Sequence, residues 1–138
     1  MATHHAEIRL RTTAREVTVD ITDRVRGIVR ASGIQDGLCL IASAHTTAGI
    51  FLNENADPDV QSDLLAQLSR IVPDAGDFRH AEGNSPAHIK SVLVGSDVTL
   101  AVRQGDCVLG RWQGVYFAEL DGPRARVATV TVSGDALV

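Results

Sequence analysis

Cysteine is scarce and carries no motif. The two cysteines, Cys39 and Cys107, stand alone in Leu38-Cys39-Leu40-Ile41 and Asp106-Cys107-Val108, without CxxC spacing. They read as buried free thiols in a reducing compartment. An excess of positive charge is also missing. Lys and Arg number 13 against 17 Asp and Glu, a formal charge of −4. That argues against nucleic acid as a partner, because backbone binding needs a basic face, although a local basic pocket can still hold a small anion. No apolar run reaches the length of a membrane span, and the opening MATHHAEIRLRTT has no apolar signal-peptide region. The expectation is a cytoplasmic protein with no membrane partner. There is no internal repeat and no low-complexity segment. What remains is ordinary globular composition, 44% hydrophobic and 22% charged, in a length that fits one domain, residues 1–138, with one core.

Hydrophobic periodicity divides the chain. Residues 6–12 alternate apolar and polar, the period of a half-buried strand, and residues 16–19 read as a second strand after a turn. Ile21, Val25, Ile28 and Val29 share one helical face. Asp20 or Thr22 is placed to cap that helix, and Gly33 to close it in the left-handed conformation. Asp36-Gly37 signals a turn; residues 38–44 read as a buried strand and 46–52 as its partner, with His45 near their junction. Asp57-Pro58 pairs an N-cap with a first-turn proline. Val60, Leu64, Leu68 and Ile71 continue at helical spacing, so a second helix is predicted from Pro58 to about Arg70, ending before Pro73. Residues 73–87 hold Pro73, Gly76, Gly83 and Pro86 and read as a long loop, of a length that tends to be functional or mobile. Strands are then predicted at 89–94, 98–102, 115–120 and 125–132. Two main helices and about eight strands, many joined as hairpins, predict an α+β fold built on a largely antiparallel sheet or sandwich.

Several residues are candidates for chemistry. His4 and His5 suggest a metal, but a solvated terminal stretch explains them equally well. His45, His80 and His88 remain, with Asn53, Glu54, Asn55, Glu82, Asn84 and Glu119 as the acidic and amide groups around them. A zinc ion needs three or four converging ligands. No HExxH motif is present and the spacing shows no convergence, so the residues alone favour separate surface or hydrogen-bonding roles. The lone tryptophan, Trp112, lies between Gly110 and Gly114, beside Arg111 and Gln113. Either Arg111 grips a phosphate while Trp112 walls a pocket, or a tight hairpin plugs the core with the indole. Lys90 and Ser91 are phosphate partners or the solvated start of a strand. Asp121-Gly122 reads as a plain turn, with Arg124 open as an anion contact.

The ordered set of short motifs is more specific than any one of them. His45-Thr46-Thr47-Ala48-Gly49, residues 52–58 (LNENADP), Glu82-Gly83-Asn84, Ala87-His88-Ile89-Lys90-Ser91, residues 110–114 (GRWQG) and Asp121-Gly122-Pro123-Arg124 follow one another between about residues 5 and 133. Together they resemble the YjbQ-type family, also called secondary thiamine-phosphate synthases. Arg111 departs from the pattern, which often has Thr before the Trp, and adds a charge there.

The resemblance implies a compact α+β fold that assembles as a homotrimer. It also implies a histidine-lined, metal-binding pocket into which His45, His80 and His88 carry over. The implied activity is of thiamine-phosphate synthase type, coupling an aminopyrimidine pyrophosphate to a thiazole phosphate with release of pyrophosphate. On that reading Lys90, Ser91, Arg111, Trp112 and Gln113 contact the small phosphorylated molecule, while Glu82, Asn84 and Glu119 orient histidines or move a proton. Imidazole ligands suit zinc better than magnesium, although pyrophosphate chemistry commonly uses magnesium. Two alternatives stand beside the synthase: a metal-dependent hydrolase of a small phosphorylated substrate, and a non-catalytic trimer that binds a metal or small ligand.

Overall fold

Alternation in the last strand sets the layering. Arg126, Ala128, Val130 and Val132 are buried while their neighbours are partly or fully exposed, so one face of that strand points into the core. In chain order the elements of this computed structural model are β1 (Ala2–Arg11), β2 (Val17–Asp20), α1 (Thr22–Ser32), β3 (Ile34–Ser43), β4 (Ala48–Glu54), α2 (Pro58–Ile71), α3 (Ser85–Val94), β5 (Asp97–Arg103), β6 (Asp106–Cys107), β7 (Gln113–Glu119) and β8 (Ala125–Ala136). The structure describes residues 1–136. Five strands form one sheet in the order β1-β8-β3-β5-β6, and three form a second in the order β2-β7-β4. Every recorded pairing is antiparallel. The expected α+β class is therefore what the chain adopts.

The core lies between the sheets. Ile8, Cys39, Ile41, Leu100, Val102, Val130 and Val132 come from the larger sheet, and Ala48, Ile50, Val115 and Phe117 from the smaller. Val25 and Val29 of α1 join them with no exposure. Full burial of each such aliphatic side chain is worth roughly 1.5–3 kcal/mol. Cys39 and Cys107 are free and buried; the neighbouring Cys107 thiol, together with burial, pushes the Cys39 thiol up. Among the described residues no helix is long and apolar enough to cross a membrane.

Local signals account for the helix ends. Gly33 closes α1 with φ +73°, the left-handed region that a side chain disfavours. The N-cap of α1 is Ile21 rather than the expected Asp20 or Thr22; Asp20 accepts from the Thr22 amide at 2.9 Å, and Thr22 Oγ1 accepts from Val115 N at 2.9 Å, so the helix start is tied to β7. Asp57 caps α2 by accepting from Asp59 N at 2.9 Å, with Pro58 in the first turn.

Three further expectations need correction. Residues 89–94 form the second half of a third helix, not a strand. A short run of β-branched and apolar residues fits either form. Pro86 in the first turn and packing against β4 decide for helix: Ser91 Oγ donates to Ala48 O at 3.0 Å, and Ile50 N donates to Gly95 O at 3.0 Å. Asp36-Gly37 is not a turn. It lies within β3, after a register shift between Ile34 and Asp36, where Gly37 sits against Gly134 and Ser133 with no room for a Cβ. The first strand begins at Ala2 rather than at residue 6, so His4 and His5 pair with Val132 and Thr131 in β1; His5 stays exposed, with its Nδ1 3.1 Å from Thr131 Oγ1.

Candidate functional site: an arginine- and histidine-lined cleft

Three connections meet at one end of the sandwich: the β3–β4 link, the β7–β8 turn and the start of α3. Between them lies a cleft of about 320 Å³ lined by His45, Thr47, Asn84, His88, Arg124 and Arg126, with Glu82 and Asp121 at its wall. It adjoins a larger depression of about 670 Å³ that runs past His45 and His88 to Ser91, Val92 and Asp97.

The floor is an ion pair. Glu119 ends β7 fully buried, and Arg126 begins the inward face of β8. Arg126 Nε donates to Glu119 Oε1 at 2.8 Å, and Nη2 donates to Glu119 Oε2 and to Thr47 Oγ1, the latter at 2.8 Å. Thr12 Oγ1 donates to Glu119 Oε1 at 2.6 Å, and the Asp121 amide donates to Oε2 at 3.1 Å. Burial alone would raise the Glu119 carboxyl. The hydrogen bonds from Arg126, Thr12 and Asp121 outweigh it and hold the group below its ordinary 4.5. The carboxylate is thus charged and saturated. Arg126 Nη1 has no hydrogen-bond partner among the described residues, while its residue is only 4% exposed and lines the cleft.

The wall is a second charged set. Arg124 donates from Nη2 to Asp121 Oδ2 at 3.0 Å and from Nε to Asp121 O at 2.7 Å. Asn84 Nδ2 donates to the same Asp121 Oδ2 at 2.8 Å. This leaves Asn84 Oδ1 buried with no partner among the described residues, a cost of about 1–3 kcal/mol unless water or a ligand donates to it. Gly122 makes the turn feasible: a Cβ there would collide with Ala14 O and the Glu119 side chain. His45 Nε2 accepts from the Val127 amide at 2.9 Å. Burial, then the Arg126 guanidinium, lower its pKa below 6.5, with Glu119 opposing them in part. The ring is therefore neutral near pH 7.

The expected site residues do not all meet. His45, Glu82, Asn84 and His88 line the cleft, with Glu119 beneath it. His80 stands edge-on to His88 with ring centroids 5.2 Å apart, and its Nε2 lies 3.8 Å from Glu82 Oε2. Lys90 is turned away: Nζ lies 2.9 Å from Glu16 Oε2 and 3.1 Å from Ser69 Oγ, with the side chain 3% exposed. Ser91 is spent on Ala48 O and borders only the adjoining depression. Arg111, Trp112 and Gln113 lie at the other end of β7, about 20 Å away at the usual rise per residue. There the Arg111 guanidinium covers the Trp112 ring at 4.8 Å, and Gln113 Oε1 accepts from Gly110 N at 2.7 Å. Trp112 is 54% exposed, so it does not plug the core.

The donor set of one chain does not fit a metal. Among the described residues no three His, Cys, Asp or Glu side chains converge as a metal requires, and the Val127 amide occupies the lone pair of His45 Nε2. Arg126, Asp121, Thr12 and Thr47 were missed as site residues. Arg126 did carry a signal: it is a charge in the inward register of β8, in step with Ala128, Val130 and Val132.

A two-sheet antiparallel α+β sandwich with a polar cleft at the strand ends is the class these features define. Residues 6–135 match the family described as UPF0047 protein YjbQ-like, and the chain belongs to that family. It is 47% identical to UPF0047 protein MJ1081 of Methanocaldococcus jannaschii over 92% of each chain. It is 44% identical to UPF0047 protein YugU of Bacillus subtilis, over 92% of this chain and 97% of that one. Two crystal structures share the fold. A YjbQ/UPF0047 family protein of Clostridium acetobutylicum has a TM-score of 0.91 and 46% identity, covering 93% of this chain and 99% of its own. A YbjQ-like protein of unknown function from Sulfolobus solfataricus has a TM-score of 0.94 and 35% identity, covering 97% and 99%.

Proposed function

We propose that the cleft binds a small phosphorylated molecule and stabilises negative charge on its phosphate. One observation carries this reading: Arg126 is almost fully buried, its position fixed by Glu119 and Thr47, yet Nη1 has no hydrogen-bond partner among the described residues and the residue lines the cleft beside Arg124, His45 and His88. A guanidinium held in that way is a preorganised oxyanion donor, and preorganised donors are worth more in a partly dry site than in water. Asn84 Oδ1 supplies the complementary acceptor for a ligand hydroxyl or amine.

The reaction we propose is the transfer implied by the family resemblance: a thiazole phosphate displaces pyrophosphate from an aminopyrimidine methylene. In that step the thiazole nitrogen forms the new bond, and pyrophosphate leaves with the electron pair of the broken carbon–oxygen bond. The role of this chain is to receive the leaving group's charge at Arg126 and Arg124. The test is to incubate purified protein with both substrates and measure pyrophosphate and the coupled product. Phosphate release from one phosphorylated substrate alone marks a hydrolase instead; binding without turnover marks a ligand-binding module. Self-association, with the homotrimer as the proposed state, is supported by the exposed Ile89, Val92 and Leu93 on α3 and by Leu38 and Leu40 on the outer face of β3. Light-scattering mass in solution checks it, and a monomer would contradict it.

A further inference from the structure

The β3–β8 ladder ends at the pair Ser43–Ala128. One step beyond, Ala44 N donates to Val127 O at 3.3 Å. The Val127 amide points the same way, as the two groups of one residue do in an antiparallel ladder. Among the described residues it finds no backbone carbonyl and meets His45 Nε2 at 2.9 Å. The imidazole therefore replaces a missing backbone acceptor. Its own backbone is held in place as well, with His45 N donating to Ser43 Oγ at 3.1 Å.

This contact fixes the tautomer. Only a lone pair accepts an N–H, so Nε2 carries no proton and the neutral ring carries it on Nδ1. Protonating Nε2 would set one N–H against another. A metal-bound imidazole needs a free lone pair on the ligating nitrogen. Here one nitrogen has its lone pair taken by Val127 and the other bears the proton. Nδ1 has no hydrogen-bond partner among the described residues, and the ring lines the cleft together with Arg126 and Arg124.

We propose that His45 donates its Nδ1–H to an oxyanion of the bound molecule, in a tautomer set by the Val127 amide, and that it is not a metal ligand. The oxyanion half of this statement rests on the anion-binding reading of the cleft; the tautomer half does not. His45 is then the neutral donor of an array whose charge comes from the arginines. Neutral donors of this kind shape and orient an anion without adding to the charge already present.

Long-range 1H–15N correlation spectra of uniformly 15N-labelled protein near neutral pH read the tautomer directly. The expected result is a protonated Nδ1 and an unprotonated, hydrogen-bonded Nε2 for His45. Inorganic pyrophosphate should shift the Nδ1 signal, and zinc chloride should leave the tautomer unchanged. An Nε2–H tautomer, or a switch of the ring on adding zinc, overturns the proposal. Pyrophosphate that moves the arginine side-chain signals but not His45 overturns the oxyanion half alone. No response in the cleft at all overturns that half together with the anion reading. Two variants give a second readout. His45→Gln keeps an acceptor for Val127 but loses the Nδ1 donor, and should weaken pyrophosphate binding by about tenfold. His45→Asn keeps a donor near the Nδ1 position and should weaken it less. Equal loss in both, or none in either, contradicts the donor role.

Discussion

Arg126 and Glu119 face each other across the β7–β8 turn with both carboxylate oxygens held by one guanidinium, and their side chains are 4% and 0% exposed. A buried pair of this kind adds little over an apolar pair, but it is costly to break from one side. Glu119→Ala should lower unfolding free energy by roughly 3–5 kcal/mol, because the guanidinium is left buried without its counter-charge. Urea unfolding measures it. A loss below about 1 kcal/mol, in the range of an exposed pair, would show that water reaches this pair.

Acid should weaken the protein in two steps. The folded pKa of His45 lies below its ordinary 6.5, so its contribution is complete above 6.5 and is lost as pH falls through the folded value. Glu119 behaves likewise from 4.5 downward. In both cases the unfolded chain binds the proton first, so stability falls with falling pH. Urea midpoints across this range should decline below about 6.5 and again below about 4.5, relative to the ordinary pKa values. His45→Gln should remove the upper step and Glu119→Gln the lower.

Lys90 is a structural cation. Its ammonium joins α3 to α2 through Ser69 and to Glu16, just before β2. Lys90→Ala should cost roughly 3 kcal/mol, since Glu16 and Ser69 lose their shared partner in a largely buried place. It should leave pyrophosphate affinity in the folded protein within about twofold of wild type, well short of the tenfold change that follows loss of about 1.4 kcal/mol. Calorimetry on the variant checks this, and a tenfold loss would place Lys90 in the binding site after all.

Gly49 sets how closely α3 approaches β4. A Cβ at that position would lie 2.8 Å from Val94 Cγ1 and would meet Gly95 O. Gly49→Ala should push α3 outward, carrying His88 with it, and cost about 1–3 kcal/mol, as overpacking does. Unfolding experiments measure the stability loss, and weaker pyrophosphate binding should accompany it if His88 takes part.

The sequence made most of the β framework and the first two helices readable, because alternation, the Asp57-Pro58 cap and the Gly33 stop are local signals. α3 was not readable: residues 89–94 are apolar on too many sides to show a helical period, and the packing that decides their form comes from β4. The histidines and Asn84 could be named from the motifs, but their grouping could not, since it depends on where three separate connections end. Arg111, Trp112 and Gln113 show the reverse case. Their chemistry suits a phosphate, yet strand length carries them to the far end of β7. Arg126 could have been found from its inward register, whereas the Val127–His45 contact leaves no trace in the sequence.

The central claim is that the cleft beneath α3 is an oxyanion site built on Arg124 and Arg126. Isothermal titration with inorganic pyrophosphate tests it most directly, on wild type beside Arg124→Ala, whose side chain is about half exposed and whose loss leaves the buried pair intact. The account predicts saturable binding to wild type and at least about tenfold weaker binding to the variant, the scale expected for a lost charge-assisted hydrogen bond. No binding to wild type, or equal binding to both proteins, would contradict it.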